Sequence, residues 1–187
     1  MDETNMAVNC TVCGKPIALS PKAARSISFD VCDVCVSKLS GASDYATLLE
    51  AIDAPVLLMQ GNPRQVVTAN RMALELFGKK PEQVESHRGG QIFDCVDSFT
   101  EAGCGKDANC EHCKIKNAIV DTFTSASSHK GISTELLIKK AAGIRPHIVQ
   151  VSTEKLSDLA LVRVERYDAD AQPCGQPDPA HKAAPGP

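Results

Sequence analysis

Residues 51–70 have the sequence AIDAPVLLMQGNPRQVVTAN, and this stretch decides the fold. Two short apolar runs, at 56–59 and 65–68, flank a Gly-Asn-Pro break and predict a β-hairpin. Pro55 ends any preceding helix, because the residue before a proline avoids the helical region. Asn70 can begin a new helix, because its side chain can accept a hydrogen bond from a free amide of the first turn.

Helices and strands are predicted on both sides of this hairpin. The spacing of apolar residues predicts a helix over 44–53 and another that begins after Asn70 and ends at Gly78. A longer helix is predicted over 113–123, after an irregular polar stretch. Strand patterns then follow at 132–140, 147–151 and 159–167.

The composition limits the functions that the chain can have. A formal net charge of -3 gives no overall basic field, so direct nucleic-acid binding is not expected. No apolar run has the length of a membrane span, and residues 1–9 look like a flexible leader without a signal-peptide pattern. The sequence therefore predicts a cytoplasmic protein. A cytoplasm keeps thiols reduced, so the 9 cysteines are expected to bind metal before they form disulfides.

The first cysteine group lies in a predicted zinc-ribbon-like knuckle over residues 10–39. Its members form two Cys-x-x-Cys pairs, Cys10 with Cys13 and Cys32 with Cys35. Two such pairs at this separation are typical of a structural zinc site with four thiolate ligands. A segment this short has no core of its own, so the metal must supply much of its folding free energy.

The second cysteine group has irregular spacing and consists of Cys95, Cys104, Cys110 and Cys113. Gly103 and Gly105 allow the backbone to wrap closely around a sulfur-bound ion. Cys110 and Cys113 lie at the predicted start of a helix, where free amides and the positive end of the dipole favour thiolates. Four thiolates suit either zinc or an iron–sulfur cluster. The irregular spacing favours a four-iron cluster over zinc.

The order of these elements resembles that of a PAS domain. The resemblance rests on residues 51–55 before the first strand, on Asn70, on Gly78 and on the closing three strands. It covers residues 44–167 and implies an α+β fold, an antiparallel sheet with flanking helices. The second cysteine group resembles that of a cysteine-rich, metal-binding subgroup of bacterial PAS domains. The resemblance therefore implies that these cysteines lie where other PAS domains hold flavin or haem.

Some residues are expected to have no role in binding or catalysis. Residues 168–187 are rich in Pro, Ala and Gly, which predicts a disordered tail that contains Cys174 as a free thiol. The 5 histidines are expected at the surface. No nucleophile, base and orienting residue are grouped as catalysis requires, so the chain is not expected to be an enzyme.

These patterns together predict a sensory or regulatory module for redox state, oxygen or metal. Its output would pass to a protein partner, such as a histidine kinase or a transcription regulator, and it would dimerise through the helix at 44–53. The alternative is a structural adaptor that holds two zinc ions and binds protein. A third interpretation is a dithiol oxidoreductase that uses Cys110 and Cys113, although Cys95 and Cys104 then have no role.

Overall fold

The computed structural model describes residues 8–10, 13–17, 33–36 and 42–168. The main strands are β3 (Val56–Gly61), β4 (Arg64–Ala69), β5 (His129–Lys140), β6 (Gly143–Leu156) and β7 (Leu159–Asp168). The helices around them are α2 (Ala42–Glu50), α3 (Arg71–Phe77), α4 (Gly89–Phe93) and α5 (Lys114–Ser125). Nearer the N-terminus are β1 (Val8–Asn9), β2 (Pro16–Ile17) and α1 (Asp33–Val36). Single 3₁₀ turns lie at Pro81–Gln83, Val96–Ser98 and Ala108–His112.

The five main strands form one antiparallel sheet in the order β4-β3-β7-β6-β5. Strand β3 is an interior strand, because Leu57 pairs with Ala69 of β4 on one side and with Val162 of β7, the middle strand, on the other. Its first four residues are buried on both faces, which explains why its sequence is a continuous apolar run without alternation. The sheet with its flanking helices confirms the predicted PAS-like α+β fold.

Each face of the sheet has its own apolar cluster. The larger cluster lies between the sheet and helices α3, α4 and α5, and it includes Leu57, Met59, Ile115 and Val162. The smaller cluster lies on the opposite face, where Leu49 of α2 packs against Val56, Leu58 and Leu161. Because both faces are covered, the central strands are almost completely excluded from water.

The buried side chain of Asn70 joins three elements at one point. Its Oδ1 accepts hydrogen bonds from the amides of Val56 and Ala73, at 3.1 and 3.0 Å. Its Nδ2 donates to the carbonyls of Leu49, Ile52 and Ala54, at 3.2, 3.3 and 2.7 Å. Asn70 is therefore the expected N-cap of α3 and also fixes the end of α2 to the start of β3.

Several element boundaries differ from the sequence-based expectation. The helix predicted over 44–53 spans Ala42–Glu50, because the chain then turns more tightly: the carbonyls of Leu49 and Ile52 accept from the amides of Ile52 and Ala54, and both also accept from Asn70. Strand β6 extends well beyond the predicted 147–151, because its polar ends pair with β5 and β7. The helix predicted to end at Gly78 does so, with Gly78 in the left-handed conformation at φ 63°.

The expectation that the histidines lie at the surface is wrong for His147. This side chain is 6% exposed, and its ring centroid lies 5.1 Å from that of Tyr167. His147 shares one face of β6 with the buried Val149 and Val151, so strand alternation could have shown that it points inward.

Some predictions fall outside the described part of the chain. They concern most of the leader at 1–9, Cys32, His181, and the tail from residue 169 onward with Cys174. Asp168, assigned above to the tail, is the last residue of β7. None of the helices in the described ranges is long and apolar enough to cross a membrane.

Replacing Asn70 by alanine should destabilise the domain by about 3 kcal/mol, since it leaves several buried backbone groups without partners. The measurement is the free energy of unfolding from denaturant titration. The matched control is Asn117→Ala, which removes one exposed hydrogen bond, at 3.1 Å, to the carbonyl of Glu111. We expect the control to cost less than about 1 kcal/mol. Equal losses in both variants would contradict the joining role of Asn70.

Candidate metal centres

The first cysteine group is held by a small hairpin and a helical turn. Strands β1 and β2 pair around a turn in which the amide of Gly14 donates to the carbonyl of Cys10 at 2.8 Å. Gly14 has φ +70°, a conformation that suits glycine in a tight turn. Cys35 comes from α1.

The sulfur atoms of Cys10, Cys13 and Cys35 all lie within 4.8 Å of one another. Four thiolates around one zinc ion, with Zn–S of about 2.3 Å, would be about 3.8 Å apart. The three described sulfurs therefore fit a single ion, and the fourth predicted ligand, Cys32, lies outside the described residues. The structure thus brings together every member of this group that it describes.

The second cysteine group converges on one cavity of about 410 Å³. Cys95 follows α4, Cys104 lies in the loop after it, Cys110 lies in the last 3₁₀ turn, and Cys113 caps α5. All four line the cavity. Its apolar floor is formed by side chains of β3, β5, β7 and α5, among them Leu57, Met59, Leu136, Val162 and Ile119.

The spacing of these four sulfurs differs from that of the first group. All four residues are described, and no three of their sulfur atoms lie within 4.8 Å of one another. The sulfurs of the second group are therefore less closely grouped than the three described sulfurs of the first group.

Two backbone amides point at sulfurs of the second group. The amide of Gly90 lies 3.3 Å from Sγ of Cys104, and the amide of Gly105 lies 3.2 Å from Sγ of Cys110. Amide donors of this kind stabilise thiolate ligands and tune the potential of a cluster. Gly90 must be glycine, because a Cβ there would lie 2.7 Å from Sγ of Cys104.

Burial controls the protonation of these thiols. Burial raises the pKa of Cys95 to about 12, and its Sγ lies 3.7 Å from Oδ2 of Asp97. Burial also raises the pKa of Cys104, although the amide of Gly90 opposes the shift. Without a cation these groups remain thiols at neutral pH. A metal bound by these thiols would displace their protons and would compensate the burial of negative charge.

Sequence reasoning found the four cysteines but missed the groups that surround them. Gly90, Arg64 and Arg88 all approach the cysteine loop, and Nη1 of Arg88 donates to the carbonyl of Cys104 at 3.1 Å. The adjacent glycines, Gly89 and Gly90, could have indicated that the backbone comes close to another group at this point. Nothing near Arg64 in the sequence indicates that its side chain faces Cys104.

Residues 43–112 match the family model described as PAS domain. The match covers less than half of the chain and includes three members of the second cysteine group, Cys95, Cys104 and Cys110. Together with the strand order of the sheet, it identifies the folded unit at 42–168 as a PAS-like domain. No curated protein matches the sequence.

Three solved structures illustrate the similarity of fold. The LOV protein of Rhodobacter sphaeroides has 13% identity and a TM-score of 0.44, over 65% of this chain and 63% of that chain. The PAS domain of nitrogen regulation protein NR(II) from Vibrio parahaemolyticus has 12% identity and a TM-score of 0.42, over 65% and 96%. The photoactive yellow protein domain of the sensor histidine kinase Ppr from Rhodospirillum centenum has 16% identity and a TM-score of 0.39, over 68% and 94%. The alignment thus spans less than two thirds of the LOV protein.

Replacing Gly90 by alanine should lower the metal content of the second group, because the new methyl group would displace Sγ of Cys104. The matched control is Gly89→Ala, whose new methyl group would meet only Phe93, at 3.9 Å. Metal per chain is measured after anaerobic purification, and circular dichroism checks that both variants fold. Full metal content in Gly90→Ala would show that this close contact does not matter for the site.

Replacing Cys35 by serine should remove the metal of the first group only, because none of the residues that line the second cavity belongs to α1. One metal equivalent should be lost, while the unfolding midpoint of the main domain stays constant. Cys174→Ser is the control and should change neither quantity. If Cys35→Ser also emptied the second group, the two sites would be coupled and this separation would be wrong.

Proposed function

We propose that this chain is a non-catalytic regulatory module that senses redox state, oxygen or metal through its second cysteine group. The observation that carries this proposal is the convergence of four cysteines, from separate turns of the chain, on one cavity of a PAS-like domain. A group bound in a cavity between the sheet and its helices can change the positions of both layers. A four-iron cluster would supply reversible one-electron chemistry and sensitivity to oxygen.

The ligand segment is attached directly to the elements that would carry a signal. Cys113 is the N-cap residue of α5, so its ligation positions the start of that helix. Cys95 pairs with Ile138 of β5 as an isolated bridge. The preceding Asp94 accepts hydrogen bonds from Lys140 and Lys79, each at 2.6 Å. Movement of either ligand therefore acts on α5 or on the edge strand β5.

Binding and release would act as an order–disorder switch. When thiolates hold a metal, the loop between Cys95 and Cys113 is fixed at four points; when the metal leaves, those constraints are lost. A change of a few kcal/mol is enough to shift such an equilibrium, and metal–thiolate bonds can supply it. A change in metal ligation at the cysteines would thus change the positions of α5 and of the edge strand β5.

The output surface would include α2, which covers the face of the sheet opposite the cavity. The proposed partner is a protein such as a histidine kinase or a transcription regulator. Leu48 and Leu49 of α2 are already buried within the chain. A homodimer through this helix would therefore use its remaining surface.

The first cysteine group would hold zinc in a structural role, which its close sulfur spacing supports. The second candidate function is the adaptor with zinc at both groups, and the spacing of the first group is compatible with it. The dithiol oxidoreductase has less support, because Cys110 is only 6% exposed and its sulfur already accepts a hydrogen bond from Gly105. A nucleophilic thiol must be accessible to its substrate.

The test begins with the full chain purified without oxygen. A brown protein that contains iron and sulfide supports the sensor, whereas a colourless protein with two zinc ions supports the adaptor. A colourless protein with no metal at the second group would leave only the dithiol enzyme. Cys104→Ser is the variant that should remove colour and iron while the metal of the first group stays bound.

Controlled exposure of the anaerobic protein to oxygen should accelerate amide exchange in residues 95–123, since loss of the metal frees the loop and the start of α5. A smaller acceleration is expected in residues 42–68, on the route to the proposed output surface. Amide exchange is followed by mass spectrometry, with Cys104→Ser as the control that has no cluster to lose. Unchanged exchange together with unchanged metal content would rule out the sensor and leave the adaptor.

A further inference from the structure

Arg64 places a positive charge at the wall of the cavity. It is the first residue of β4, it is half-buried, and its side chain lines the same cavity as the second cysteine group. A methyl group on Gly105 would overlap the guanidinium of Arg64. The guanidinium therefore lies directly against the loop that carries Cys104.

This guanidinium has no carboxylate to neutralise it in the described part of the chain, where no ion pair within 4.0 Å involves Arg64. Its charged neighbour is another cation, Arg88, which lies on the same side of Gly105. Burial lowers the pKa of Arg64, whereas Cys104, Cys113 and Cys110 raise it. Arginine nevertheless keeps its charge at neutral pH. Burying two neighbouring cations without a carboxylate costs free energy. An anion bound in the adjacent cavity would offset this cost.

A metal group bound by the four cysteines would supply that negative charge. A zinc ion or an oxidised four-iron cluster bound by four thiolates carries a net charge of about −2. The guanidinium of Arg64, which lines the cavity and lies against the Gly105 loop, is thus placed to interact with such an anionic metal group.

We propose that Arg64 is the charge partner of the metal group in the second cysteine site, a positioning residue that stabilises its anionic form. This inference rests on the proposed function. One-electron reduction of a cluster by an external mediator adds one negative charge and breaks no bond. Because a nearby cation stabilises that added charge, Arg64 raises the reduction potential of the cluster and slows the loss of metal.

The test compares three variants of the full chain. Arg64→Met removes the charge but keeps much of the stem, Arg64→Lys retains a charge, and Arg71→Met makes the first change at an exposed position on α3. In a redox titration with mediators, Arg64→Met should shift the midpoint potential to more negative values. In competition with a chelator, it should lose metal from the second group about fivefold faster. Arg71→Met should match the unmodified protein, and Arg64→Lys should lie close to it.

The outcomes separate this inference from the proposed function. If the unmodified protein holds no metal at the second group, the proposed function fails first. If metal is bound but Arg64→Met behaves like Arg71→Met in both measurements, the inference is overturned and the proposed function stands. If Arg64→Met does not fold, Arg64→Gln replaces it under the same criteria. If Arg64→Lys loses metal as fast as Arg64→Met, the role is packing and not charge, which also overturns the inference.

Discussion

The fold depends on one buried amide side chain. Asn70 can satisfy its hydrogen bonds only where the end of α2, the start of β3 and the first turn of α3 meet. Leaving those groups unpaired in the interior would cost several kcal/mol, so this meeting point is strongly fixed. Because Asn70 fixes the start of β3, it also sets the positions of Leu57 and Met59 in the floor of a cavity that it does not contact.

The two cysteine groups differ in the spacing of their sulfur atoms and in their surroundings. Cys10, Cys13 and Cys35 lie close enough to enclose one ion. The second group is less closely spaced and lies above an apolar floor, with amide donors at two sulfurs and the guanidinium of Arg64 in the cavity wall. Such a setting stabilises a buried anionic group and makes its properties depend on the protein around it.

The structural features that could be predicted from the sequence are mainly those that local interactions determine. The hairpin, the Asn70 cap and the Gly78 terminus follow from residues that are neighbours in the chain. Residue type and spacing predicted two cysteine groups; the structure brings Cys10, Cys13 and Cys35 together and places the four residues of the second group around one cavity. The full length of β6 could not be predicted, because its polar ends are strands only through pairing with β5 and β7. The position of the Arg64 side chain could not be predicted either, because its contact with the loop of Gly105 exists only in the folded chain.

The strand order has a consequence for how the protein is made. Both cysteine groups precede α5, whereas β7, the middle strand of the sheet and a pairing partner of β3, is the last strand of the domain. A chain leaves the ribosome from its N-terminus, so the thiols emerge before Leu136 and Val162 can complete the cavity wall. Under the function proposed above, metal would thus be delivered to an incompletely folded domain without opening a finished one. The metal supply during translation would then decide whether the sheet closes over occupied or empty ligands.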